Sequence, residues 1–171
     1  MRCRFGILVA VASMGAWLLT GAPASGGTLD FGPPGQPGIG DFSPVTLTGT
    51  PVLTSVSIDP FSVVDSTGSG SGWNVTLTIS DLVHGGSVIP ASSMKMPAPL
   101  VTPVDGASMT GVAGHATTGN LSSGEKIVTA AVGEGEGTYL VSPALLTLTV
   151  PPDAVVGNYA ASASIAVVSG P

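Results

Sequence analysis

Apolar and polar side chains alternate along most of this chain in short runs, and glycine or proline separates one run from the next. The clearest run covers residues 73–80. Its larger side chains fall on one face and its polar ones on the other, with the first set being Trp73, Val75, Leu77 and Ile79. A period of two predicts a β-strand with one buried face. This run therefore predicts a strand whose tryptophan points into a core.

Similar β-branched runs recur from one end of the chain to the other, and each predicts a further strand. The predicted strands are 45–48, 52–58, 61–64, 87–89, 94–96, 101–104, 126–132, 144–150 and 158–168, with a short edge strand at 28–31. The last of these is rich in alanine, which favours helix. Its larger residues nevertheless alternate, so we predict an inward face made of Tyr159, Ala161, Ala163, Ile165 and Val167.

The arrangement of these runs predicts an all-β fold. Short strands follow one another through Gly- and Pro-rich turns, and no intervening stretch has helical spacing. Such a pattern is typical of an antiparallel β-sandwich, here with Greek-key-like connections. Residues 105–124 interrupt the pattern and predict a long loop, with room for a weak hairpin.

The N-terminus predicts export. Arg2 and Arg4 precede an apolar stretch, and the small residues Ala22 and Ala24 follow it, as in a cleaved signal peptide covering 1–24. Residues 25–44 predict an extended Gly/Pro-rich leader, and 45–171 the folded domain. The single cysteine, Cys3, belongs to the signal, so the secreted chain depends on its core and not on disulfides.

Charge excludes several classes of partner. After removal of the signal, only Lys95 and Lys126 oppose ten acidic residues. A nucleic-acid partner requires clustered basic side chains that displace counterions, and none are present. Attraction to anionic lipid is equally unsupported, and no membrane span is expected in the secreted chain.

The residues that could support catalysis or metal binding are few. His84 and His115 lie far apart without a cysteine or second histidine near either, so we predict solvated loop residues and no zinc site. Glu134 and Glu136 predict an acidic turn in preference to a calcium site, and Asp65 predicts a turn cap. The sequence thus predicts no catalytic residue, no metal and no cofactor, and a protein that is not an enzyme.

Several short motifs occur in a fixed order over residues 45–171. Val64-Asp65 leads through a glycine-rich turn to Gly72-Trp73, and a Gly-Thr-Tyr follows at 137–139. The run 148–151 then precedes Gly157-Asn158-Tyr159 and a final strand. In this order the chain resembles the WxL domain of Gram-positive surface proteins, which implies a β-sandwich on the cell surface that associates non-covalently with peptidoglycan or with partner surface proteins.

The resemblance assigns candidate residues. Trp73, Asn74 and Val75 stand where the first Trp-x-Leu of the family would lie, with valine in place of leucine. Ile165 and Val167 stand at the second, where the tryptophan is missing. With Asp65 and Gly72, these are the positions at which the resemblance implies a structural or binding role.

Two other functions remain open from the sequence. The leader 25–44 could donate a strand to a neighbouring copy, which would make the chain a self-associating structural subunit. Alternatively, Trp73 could stack on a sugar in a glycan-binding module. Its alternation with core residues favours burial instead, so we expect Trp73 to stabilise the fold.

Overall fold

A computed structural model describes residues 26–171, and the predicted signal peptide lies outside these residues. The described chain is an all-β, antiparallel sandwich, as predicted. Its strands are β1 Leu29–Gly32, β2 Val52–Ile58, β3 Phe61–Asp65, β4 Trp73–Ile79, β5 Leu82–His84, β6 Ser87–Ile89, β7 Met94–Lys95, β8 Val101–Val104, β9 Val112–Gly114, β10 Glu125–Ala130, β11 Gly137–Val141, β12 Ala144–Val150 and β13 Ala163–Ser169. Short 3₁₀ turns lie at Ala91–Ser93 and Leu121–Ser123.

The first layer contains strands that continue one another across matched breaks. β3 lies between β1 and β11, and β2 pairs with β12. Ile58 faces Ala144 and Phe61 faces Val141, so a single register runs through both pairs. Two residues separate the strands on each side of the break, 59–60 and 142–143. The second residue of each pair is a proline, which has no backbone N–H to donate to a strand ladder. β7 and β8 flank the same long pair on its other side.

On both sides of this break, the alternation of buried and exposed residues shifts by one position. The buried residues of β2 and β3 include Ile58 and Phe61, three positions apart instead of two. Val141 and Ala144 show the same spacing on the partner side. Because the alternation shifts at the same place on both sides, the pairing register is unchanged. The strands β2, β3, β11 and β12 therefore all contribute buried residues to one core.

The second layer has the order β13-β4-β10-β9, and the β5–β6 hairpin extends it. β4 is an inner strand, paired on both sides, and its inward residues are buried as predicted. Most strands that are neighbours in space come from distant parts of the chain, so the connections cross between the layers. No helix within residues 26–171 is long and apolar enough to cross a membrane.

Two predicted strands are wrong in whole or in part. Residues 45–48 form no strand: Val45 and Leu47 alternate because an extended segment packs on the core without a ladder partner. The last strand begins at Ala163 instead of residue 158, and Ala161 and Ala163 are exposed. Before that point the chain has only an isolated bridge to β5, so nothing extends the ladder.

Three strands were not predicted. β11 follows directly on the glycine-rich acidic turn and ends at a proline break, so its five residues carry little independent pattern. β5 is a three-residue strand, and β9 lies inside the predicted 105–124 loop. The predicted edge strand in the leader is confirmed, since β1 pairs with β3.

Candidate functional site

Trp73 is fully buried at one end of the sandwich, where the glycine-rich turn enters β4. Its indole Nε1 donates a hydrogen bond of 2.8 Å to the Gly135 carbonyl oxygen. Its ring packs against Tyr139, with ring centroids 5.6 Å apart and planes tilted by 56°. Burial of a tryptophan with its N–H satisfied is strongly stabilising. We call Trp73, Gly135 and Tyr139 the tryptophan cluster.

Tyr139 ties this cluster to two surrounding loops. Its hydroxyl donates to the Ser108 carbonyl at 2.7 Å and lies 3.2 Å from the Glu136 carbonyl. Burial raises the pKa of Tyr139, and the nearby carboxylates of Glu134, Asp65 and Glu136 raise it further. The hydroxyl therefore stays protonated at neutral pH and keeps donating to the loops.

Carboxylates organise the glycine-rich turn that precedes Trp73. Asp65 accepts hydrogen bonds from the Thr67 amide at 3.0 Å and from its hydroxyl at 2.7 Å, which confirms the predicted turn cap. Glu136 reaches across and accepts from the amides of Gly68 and Gly70, both at 3.3 Å. The turn is thus fastened to the 133–137 loop, and Trp73 is held between them.

The residues at the second motif position face the same core. β13 pairs with β4 so that Val167 lies opposite Val75, and Ile165 lies opposite Leu77. Ile165 is buried and Val167 partly buried. Their side chains extend the packed surface that begins at Trp73. Both motif positions therefore fall on adjacent strands of one layer and face inward.

Asn74 points to the opposite face of β4 yet is only 6% exposed. Its Nδ2 donates to the Gly170 carbonyl at 2.6 Å, and its Oδ1 accepts from the Thr76 hydroxyl at 2.9 Å. With both ends of the amide bonded and the residue buried, Asn74 fastens the end of β13 to β4.

The predicted site residues therefore build the interior of the molecule. Trp73, Val75 and Ile165 are buried apolar residues, and Asp65 and Asn74 are buried polar ones with internal partners. A fully buried ring cannot stack on a sugar, so the glycan-binding alternative cannot use Trp73 while the fold stays intact. These positions hold two layers and two loops together.

The histidines and acidic residues form no recognisable metal site. His84 ends β5 instead of lying in a loop, and its ring packs on Tyr159 with centroids 5.5 Å apart. His115 is exposed and bonded to the Thr129 hydroxyl at 2.8 Å. Glu134 and Glu136 lie in the predicted acidic turn. Among residues 26–171, no group of three potential metal-binding side chains is found.

A further carboxylate, Glu125, holds residues 118–120 of the long loop in place by accepting hydrogen bonds from them. It accepts hydrogen bonds from the backbone amides of Thr118, Gly119 and Asn120, the Gly119 bond measuring 2.9 Å. Burial raises the pKa of Glu125, but these bonds and one from the Thr118 hydroxyl outweigh it and lower the pKa below its usual value.

We predict that Glu125→Gln opens this loop. Hydrogen-exchange protection of the amides of residues 118–120 should fall on the order of tenfold, because hydrogen bonds to a charged acceptor are stronger than those to a neutral one. In the wild type, a lowered folded pKa means that this protection is present above the unfolded value of about 4.3 and is lost as pH falls through the folded pKa. The variant should lack this acid transition. Glu134→Gln is the control, and equal protection in both variants would contradict the prediction.

The opposite end of the sandwich has a cleft that sequence reasoning missed. Two irregular segments, 39–47 and 154–161, lie across the end of the core, and we call them the straps. A cavity of about 960 Å³ lies between the straps and the core. Its floor is apolar and includes Ile79, Leu82, Ile89, Met94, Leu146 and Leu148. The apolar residues Phe42, Val45 and Leu47 were the one local signal of the first strap.

Comparison with known proteins identifies no relative. No family model matches the chain, and neither a curated protein nor a solved structure matches it.

Proposed function

We propose that this chain is a secreted, non-enzymatic surface protein of a Gram-positive bacterium, with a WxL-like β-sandwich that attaches non-covalently to the cell wall or to partner surface proteins. The predicted signal peptide supports export, and the resemblance in the ordered motifs supports the surface role. One observation carries the proposal. The motif positions, distant in sequence, meet in one packed unit: Trp73 on Tyr139, and β4 on the strand that carries Ile165.

Burial of these motif residues implies that attachment uses an outward surface. The outer side of the first layer exposes four leucines at between 45% and 68%, and we call this the leucine face: Leu53, Leu100, Leu140 and Leu145. Hydroxyl side chains stand beside them, since Leu53 faces Thr149 and Leu145 faces Ser57. Apolar side chains mixed with hydroxyls suit an uncharged polymer or a protein surface, in keeping with the shortage of basic residues.

Co-sedimentation with Gram-positive cell walls tests this attachment. The secreted form, residues 25–171, should pellet with the cell walls, and added salt should not release it. It should also pellet with walls from which the secondary polymers have been stripped. Salt resistance is expected because the surface offers few charges to screen. A protein that stays in the supernatant with both wall preparations would refute wall attachment.

We predict that the double change Leu53→Ser and Leu145→Ser weakens pelleting at least about tenfold. Burying a leucine in an interface contributes about 1.5 kcal/mol or more, and tenfold corresponds to about 1.4 kcal/mol. Both side chains are exposed, so the melting temperature should hardly change. Val132→Ser is the matched control, because it removes a similarly exposed apolar side chain at the end of the sandwich where Trp73 lies. Equal pelleting of all three proteins would exclude the leucine face.

Self-assembly by strand donation is a second candidate, favoured by one observation. The leader supplies β1, which forms an edge of the first layer and pairs with β3 along four residues. A neighbour's leader could take that place only by exchange with the chain's own. Concentration-dependent assembly that disappears when residues 25–44 are deleted would support this candidate, and a monomer at all concentrations would exclude it.

A further inference from the structure

The cleft beside the straps opens to solvent and has a volume of about 960 Å³. That volume falls in the range of small-molecule pockets, about 300–1,000 Å³. Partly exposed apolar side chains that line it, such as Val45 and Leu47 of the first strap, would lose contact with water when an apolar guest covers them.

Both layers of the sandwich contribute to the cleft floor. Ile79 and Leu82 come from the second layer, and Leu146 and Leu148 from the first. The cleft is therefore the open end of the core itself, where the layers part and the straps replace strands. These floor residues are at most 7% exposed, so a guest reaches them only when the straps move aside. It then contacts aliphatic side chains of both layers, as a flexible hydrocarbon chain can.

The charge around the cleft selects among apolar guests. Asp41 is the one charged side chain that lines it within the described chain. An anionic head group would find no basic partner there and would be repelled by this carboxylate. Ser43, Thr46 and Asn158 line the straps and offer hydroxyl and amide groups to an uncharged, hydroxyl-bearing head.

The straps are fastened at few points, which allows entry. The first strap is held at its start by a backbone bridge between Ile39 and Ile58, and further along by the Thr54 hydroxyl, which donates to the Ser43 carbonyl at 3.0 Å. The second is clasped by His84, whose Nδ1 lies 3.1 Å from the Asn158 carbonyl oxygen. A bridge between Val83 and Ala160 lies beside this clasp. Segments with so few backbone bonds open at the lowest free-energy cost.

The second strap also exposes apolar side chains next to the opening. Val155 is 52% and Val156 84% exposed, and both line the cleft. Side chains of this kind at a mouth gain contacts when an aliphatic chain passes them.

From these observations we propose that the strap-end cleft binds a single aliphatic chain with an uncharged hydroxyl head group. The straps close over the chain, and the head group stays at the mouth near Ser43 and Asn158. This goes beyond the proposed surface attachment and does not depend on it, because the leucine face lies on the outside of the first layer.

Isothermal titration calorimetry of the secreted form with monolaurin, laurate and glycerol tests whether binding requires an uncharged head group and an aliphatic chain. Monolaurin and laurate are each used below the concentration at which they aggregate. Monolaurin should bind saturably at one site, laurate at least tenfold more weakly, and glycerol not at all. No saturable binding of monolaurin would overturn the proposal, and laurate binding as tightly as monolaurin would overturn its charge argument.

Matched alanine-to-phenylalanine variants locate the site. Ala154 lies on the second strap and lines the cleft, so Ala154→Phe should lower monolaurin affinity at least tenfold. Ala116→Phe, on an exposed loop outside the cleft, should leave it unchanged. Hydrogen exchange of the wild type covers the case in which Ala154→Phe misfolds: monolaurin should protect 39–47 and 154–161. Equal affinity in both variants, or protection elsewhere only, would refute this location.

Discussion

Replacing Trp73 with alanine is expected to lower the free energy of unfolding by about 3–5 kcal/mol, the usual cost of removing a large aromatic side chain from a core. The side chain is fully buried, packs on Tyr139 and donates its N–H to Gly135. Its loss leaves a cavity, an unpaired carbonyl and two loops without their common anchor. Chemical denaturation followed by far-UV circular dichroism measures the change, since Trp73 is the only tryptophan in residues 25–171 and its loss removes the fluorescence signal.

The same variant separates a structural role from a binding role. Below its melting temperature, folded Trp73→Ala should pellet with cell walls as we expect the wild type to do, because the ring is fully buried. Trp73→Phe is the graded control: it keeps most of the packing but leaves the Gly135 carbonyl unpaired, at a cost of about 1–3 kcal/mol. Unchanged unfolding with lost pelleting would show that the tryptophan contacts a ligand.

Gly72→Ala is expected to destabilise the fold by more than about 3 kcal/mol. Gly72 has φ +70°, where an alanine costs about 1–2 kcal/mol. In addition, a Cβ there would lie 2.5 Å from the Ala130 carbonyl oxygen and 2.7 Å from that of Ala131. These are backbone atoms, so relief requires β4 and β10 to separate beside Trp73.

Gly68→Ala is the matched control for this clash. Gly68 lies in the same turn with φ +63°, and nothing lies within 4 Å of an added Cβ. Gly68→Ala should lower the free energy of unfolding only by the cost of placing an alanine in the left-handed conformation, about 1–2 kcal/mol. If both variants unfold at the same denaturant concentration, the close approach of Gly72 to the 130–131 backbone has no energetic importance.

The inward face of the strongest strands follows from the sequence alone. Strands 52–58 and 144–150 were predicted with the bounds that the structure has. Their period of two reflects a local requirement, because successive side chains of a strand point to opposite faces. The same reasoning placed Trp73 and Ile165 in the core, where both are buried.

Alternation of apolar and polar residues predicts the wrong structure where contacts between distant segments decide whether a strand forms. Val45 and Leu47 alternate like a strand but lack a neighbouring chain, so they form part of a strap. β11 has weak patterning of its own and exists because β3 and β8 pair with it on either side. The contact between Trp73 and Gly135 likewise joins residues whose meeting no local pattern shows.

By itself, then, the sequence determined the all-β class, the inward faces of the main strands and the turn held by Asp65. Only the tertiary structure decided the matched breaks at Pro60 and Pro143, the contacts of Trp73 with Gly135 and Tyr139, and the cleft beneath the straps. The reason is physical. Alternation and turn chemistry act between near neighbours in the chain, whereas register, partner choice and unfilled volume depend on segments that meet only after folding.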